Sequence, residues 1–169
     1  MPYREMIKKS NVKFFKDPPY YLKGEGTLEY EDNFTFKFSD PLYGFILPDC
    51  YDFTASFDDL ILGDIMIIFG EKPLPEKEVI KILMRKINVI KKSKWRESDV
   101  VNHLNTEHDY KKLFSKGEEL TIVGTWEARN YMMVLRVYRF MTDEQGNIID
   151  IPTNHDDFRA SLEIYKKWK

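Results

Sequence analysis

The hydrophobic period changes along this 169-residue chain, and those changes limit the possible folds more than any motif does. Up to Gly70 the apolar residues fall in short stretches cut by turn chemistry. In TLEYEDNFTFKF, Phe34, Phe36 and Phe38 alternate onto one face, as a strand requires. That segment reads as a hairpin with Asp32-Asn33 at its tip, and Asp40-Pro41 ends it. Leu42 to Leu47 is a short apolar run stopped by Pro48-Asp49. LILGDIMIIFG (60–70) reads as a strand buried on both faces. At Pro75 the period becomes helical: Ile80, Leu83, Met84, Ile87 and Ile90 recur at three- and four-residue spacing. Pro75 suits a first helical position, Glu76 and Glu78 favour the positive end of the helix dipole, and Lys91 and Lys92 favour its negative end.

A second helical region is expected from Ser98 as N-cap through Leu104, broken near Asn105-Thr106 and resumed to Phe114. Gly117 supplies a left-handed stop. Strands follow at 119–126, 131–141 and 148–151. A last helix, capped by Asp156 or Asp157, would bury Phe158, Leu162, Tyr165 and Trp168. The order predicts one α+β domain over residues 1–169, a mainly antiparallel sheet packed against two to three helices, with residues 1–22 as an irregular N-terminal segment. A strongly curled or OB-like sheet is compatible with this order, an architectural likeness only.

Gly124-Thr125-Trp126 resembles the Gly-x-Trp that opens the first strand of lipocalins and fatty-acid-binding barrels. Only about forty residues follow Trp126, too few for the seven or more strands such a barrel still needs. The stretch therefore reads as scaffold. Residues 131–140 are apolar on both alternating faces, as in a central strand, and Glu127 to Asn130 form the loop before it. A charge at Val134 or Leu135 is expected to unfold the protein, whereas changing Arg129 is not.

Hydrophobic residues make up 43% of the chain and charged ones 32%, enough apolar surface to offset chain ordering. Net charge is −2, so polyanion binding needs a local patch rather than a global field. One such patch exists between Lys77 and Arg96. Lys77, Lys81, Arg85 and Lys92 fall opposite Ile80, Leu83 and Ile87 on the helix, and Lys94, Trp95 and Arg96 follow. Cations there can meet phosphates while Trp95 stacks on a base. A solvated lysine-rich face is the ordinary explanation of the same pattern. The expected function is a non-catalytic binding protein contacting nucleic acid or an acidic protein. The alternatives are a small-ligand domain or enzyme with an aromatic-lined pocket, and an inhibitor or immunity-type protein of a mobile element.

Signatures for phosphate loops, dinucleotide folds and nucleophile elbows do not occur, and no catalytic residue or cofactor is assigned. Asp99, His103 and Glu107 would share one helical stripe, but i to i+8 spans roughly 12 Å, too far for one metal ion without a further ligand. Cys50 lies between acids, which oppose a reactive thiolate. Asp49, Asp52, Asp58, Asp59 and Asp64 follow turn chemistry. A single cysteine, no apolar leader and no run of 18 apolar residues fit a cytoplasmic protein with no membrane contact. The sequence specifies no oligomeric state.

Overall fold

Antiparallel pairing organises the chain throughout. A computed structural model describes residues 26–58, 61–98, 104, 106–142, 148 and 156–167. Its elements are β1 (Gly26–Phe38), β2 (Phe45–Asp58), β3 (Ile61–Pro75), α1 (Glu76–Lys92), β4 (Arg96–Glu97), α2 (Glu107–Phe114), β5 (Leu120–Ala128), β6 (Tyr131–Met141) and β7 (Asp156–Lys166). The strands form one sheet in the order β1-β2-β3-β7-β6-β5-β4, with every pairing antiparallel. This is the expected α+β architecture, with two helices among the described residues. None of them is long and apolar enough to cross a membrane.

The sheet is strongly curled. Phe38 at the end of β1 lies 5.9 Å, ring to ring, from Tyr131 at the start of β6. In a flat sheet four inter-strand steps would separate these strands by about 19 Å. Phe38 also meets Trp95, just before β4, at 5.6 Å. The inner face holds the core: Leu28, Phe36, Phe53, Ile67, Phe69, Leu135 and Leu162 pack with Ile80, Leu83 and Ile90 of α1. The outer face is a mosaic. Across its middle, Met66, Glu163, Val134 and Thr125 form one transverse row and Ile68, Ser161, Arg136 and Ile122 the next.

Several expectations are corrected. The segment at 156–166 is a strand, not a helix, and it is the central one. Phe158, Leu162 and Tyr165 fit a helical face, but Phe158, Ala160, Leu162 and Ile164 also fit period two, and all four are buried. Two open strand edges, β3 and β6, decide between the readings. Trp168 lies outside the described residues. Asp32-Asn33 is no hairpin tip; β1 passes through it with a bulge between Glu31 and Phe34, and the chain reverses at Asp40 to Gly44. Pro48-Asp49 does not end a strand either, but bulges out of β2, with Asp49 at φ 54°. Between Ile61 and Gly70 only Ile65, Ile67 and Phe69 are buried, while Met66 and Ile68 are half-buried, so this strand has one core face. Ser98 donates its N–H to the Thr125 carbonyl, as an extended residue does; the helix expected from Ser98 otherwise lies outside the described residues apart from Leu104. The second helix starts at a capping box between Thr106 and Asp109, and Gly117 has the left-handed φ of 74°. A bridge between Thr142 and Ile148 is antiparallel.

Gly124-Thr125-Trp126 also has a local explanation. The β5–β6 connection is a two-residue turn, Arg129-Asn130, because Ala128 pairs with Tyr131. Within β5, Trp126 folds its indole back over Gly124. A Cβ on Gly124 would lie 2.5 Å from Trp126 Cη2 and 3.0 Å from Cζ2. Trp126 is 2% exposed, so the ring has no room to withdraw. Gly124→Ala should therefore lower the unfolding free energy by roughly 1–3 kcal/mol, as core overpacking does. Urea unfolding followed by tryptophan fluorescence measures this; an unchanged midpoint and slope would show that the indole does not rest on Gly124.

Candidate anion-binding site

The helix α1 has two faces. Val79, Ile80, Leu83, Lys86, Ile87 and Ile90 are buried, and the opposite side carries the cations noted in the sequence. These cations separate into groups. Lys77, Lys81 and Arg85 are exposed on the first half of the helix. Lys81 pairs with Glu78 at 2.9 Å, and Arg85 Nε donates to the Lys81 carbonyl at 3.4 Å. Glu107 lies within reach of this end as well. Its carboxyl is held below the usual range first by the Lys111 hydrogen bond and the Lys111 charge, and then by Lys77 and Lys81. Acidic groups thus accompany the first half of the stripe.

The other end of α1 borders an open groove of about 470 Å³, between the helix terminus and the β1–β2 turn. Phe38, Phe45 and Val89 form apolar lining, and Lys37 and Lys92 stand among the lining residues. Lys37 and Ile46 are cross-strand partners, both exposed, and Ile46 is 54% exposed. Asp40 also lines the groove, but its carboxylate accepts the N–H groups of Tyr43 at 2.9 Å and Leu42 at 2.8 Å. Those two bonds, Tyr43's first, hold its pKa below the usual value. Gly44 is required here, since a Cβ would come within 2.6 Å of the Asp40 carbonyl oxygen. Arg129, at the β5–β6 turn, places its guanidinium 5.5 Å from the Tyr43 ring centre.

Trp95 does not offer a stacking face. It is 6% exposed, donates its indole N–H to the Tyr43 carbonyl at 2.8 Å, and meets Phe38, Phe45 and Tyr43 edge-on. An indole this well packed is a core residue that fastens the chain after α1 to the β1–β2 turn. Arg96 lies at the sheet edge, 3.2 Å from Glu127, which Lys167 also meets at 2.6 Å. Of the seven residues singled out in the sequence, Lys92 is the one on the groove lining. Lys37 on the lining and Arg129 over Tyr43 come from outside the basic run, so only the fold reveals them.

Lys86 belongs to the core. Spaced at Val79, Leu83, Lys86 and Ile90, it falls on the buried face, and that spacing was the signal available. Its ammonium donates to the carbonyls of Pro48 and Asp49, the latter at 3.2 Å, and sits 4.7 Å from the Phe69 ring centre. The lysine thereby caps the bulge in β2. Cys50 beside it is fully buried, and burial raises its thiol pKa.

Of the proposed metal ligands, Asp99 and His103 lie outside the described residues, and Glu107 pairs with Lys111 at 2.9 Å. Among the described residues no group of three His, Cys, Asp or Glu is placed to hold a metal ion. On the outer sheet face Arg136 Nη1 lies 2.7 Å from Glu163 Oε2, an ion pair not aligned as a hydrogen bond. Thr125 Oγ1 and Arg136 Nε are buried there without a hydrogen-bond partner. The fold and the groove define an open antiparallel α+β domain with a cationic, apolar-floored surface. No protein-family model matches the chain, and no curated protein or solved structure matches it either.

Burial pulls the Lys86 pKa below its ordinary 10.5, with desolvation the largest cause. Between the lowered value and 10.5 the unfolded chain holds the extra proton, so stability rises with pH across that window. Urea midpoints at intervals from pH 7 to 10.5 should show this rise, and Lys86→Met should remove it. Parallel curves for the two proteins would mean that Lys86 is not desolvated.

Proposed function

We propose that this protein is a binding protein without a reaction of its own, docking an anionic macromolecule at the groove beside the end of α1. The observation that carries the reading is the placement of Lys37 and Lys92 on the lining of one open concavity, with Arg129 close to Tyr43 and Asp40 at the turn beside it. Among the described residues none of these three forms an ion pair with a carboxylate. Lysines on the first half of α1 face Glu78 and Glu107 instead, so an incoming anion gains more at the groove. With a net charge of −2, the contact relies on this local field, which falls off over about 8–10 Å at physiological salt. Nucleic acid and acidic proteins are the two partner classes with the required charge.

Fluorescence anisotropy with a labelled single-stranded oligonucleotide and with polyglutamate tests this. Binding to at least one should appear at 50 mM salt. For three phosphate contacts on a single strand it should weaken about 20-fold by 200 mM. The double variant Lys37→Glu/Lys92→Glu should lose at least tenfold in affinity, and Lys77→Glu/Lys81→Glu less than threefold. Absence of binding at 50 mM salt, or an equal loss in both variants, defeats the reading.

A second reading, a small polar ligand on the outer sheet face, draws support from Thr125 Oγ1 and Arg136 Nε, buried with unused hydrogen-bonding capacity. Native mass spectrometry of the purified chain should then show an adduct that Thr125→Val diminishes. An adduct-free spectrum counts against it.

A further inference from the structure

Resting on the anion-binding reading, we infer that the groove takes an acidic protein segment: an apolar side chain enters between Lys37 and Lys92, with carboxylates on either side of it. The apolar floor argues for this partner over a nucleic acid. Phe38 and Phe45 stack on each other at 5.6 Å with an interplanar angle of 16°, and Trp95 meets both edge-on. Each takes one face of the other, and with Trp95 packed against both the rings do not form a row of open faces on which successive bases could stack. What the groove does offer is an apolar concavity, extended at its rim by Ile46. An exposed isoleucine cross-strand from a lysine is poorly used by a phosphate backbone and well used by a leucine or phenylalanine anchor.

The charge pattern agrees. Lys37 reaches the groove from β1 and Lys92 from α1, and Asp40 is among the lining residues with them. A strand of phosphates, one per nucleotide, would bring negative charge up to Asp40. A segment with carboxylates separated by an apolar residue presents charge to the lysines and hydrocarbon to the middle. The helix terminus adds the same constraint, since the last carbonyls of α1 carry partial negative charge near Ser93 and repel an anion placed at the centre of the groove. The volume of about 470 Å³ suits one large side chain with its neighbours.

Anisotropy with three labelled probes tests the inference: a 12-residue acidic peptide with one central phenylalanine, the same peptide with serine in its place, and a single-stranded oligonucleotide. The phenylalanine peptide should bind at least tenfold more tightly than the serine peptide. Ile46→Ser should weaken the phenylalanine peptide at least fivefold and the oligonucleotide less than twofold. Lys92→Glu should weaken every probe that binds. Both sites are on the surface, and circular dichroism should confirm that the variants fold. If the oligonucleotide binds and the two peptides are equivalent, the inference fails while the anion-binding reading stands. If no probe binds at 50 mM salt, both fail.

Discussion

Insertion of β7 between β3 and β6 is the interaction on which the rest of the structure depends. β1, β2 and β3 form a meander by local pairing, and β5 and β6 form a hairpin through a two-residue turn. Neither unit covers its own inner face, and each leaves one long edge unpaired. β7, the last strand, pairs with both edges along nearly its whole length. Phe158, Ala160, Leu162 and Ile164 then sit at the middle of the core, between residues from both halves of the chain. This pairing joins residues about a hundred positions apart, so ordering the sheet carries a loop-closure cost that local contacts avoid.

Once joined in this way, the sheet curls around α1 without closing, and the curl makes the groove. It brings the β1–β2 turn beside the end of α1, and it brings Arg129 of the far hairpin over Tyr43. Lys37 and Lys92 thus line one groove from two different elements, with Arg129 near its Asp40–Gly44 turn. Lys86 contributes from below, since its ammonium holds the two carbonyls of the β2 bulge against the helix. A buried cation in that position favours one register of β2 on α1 over its neighbours, because a slip would leave the charge without acceptors.

Much of this was legible in the sequence, for identifiable reasons. Tyr131 to Met141 has apolar residues on both alternating faces and could only be an inner strand; Val134 and Leu135 are 3% and 0% exposed. The helix from Glu76 to Lys92 was marked at both ends by charge and through its length by period. The segment 156–166 was not legible, because its apolar residues satisfy period two and a helical face at once. What decided its state was the pair of open edges waiting elsewhere in the fold. The bulges at Asp32-Asn33 and Pro48-Asp49 carry the same residues as true turns, and only the partner strand distinguishes them. The site was half legible. Sequence placed Lys92 in a basic run, yet it had no means of adding Lys37 to the groove, or of learning that the Trp95 indole turns inward to bond the Tyr43 carbonyl.

Native-state hydrogen exchange of the intact chain tests the central role of β7 most directly. The amides of Phe158 to Ile164 should be among the slowest in the protein, opening only with global unfolding, and they should match those of β3 and β6 in free energy. Exchange in β7 faster than in α1, with the denaturant-insensitive signature of a fraying terminus, would contradict the account.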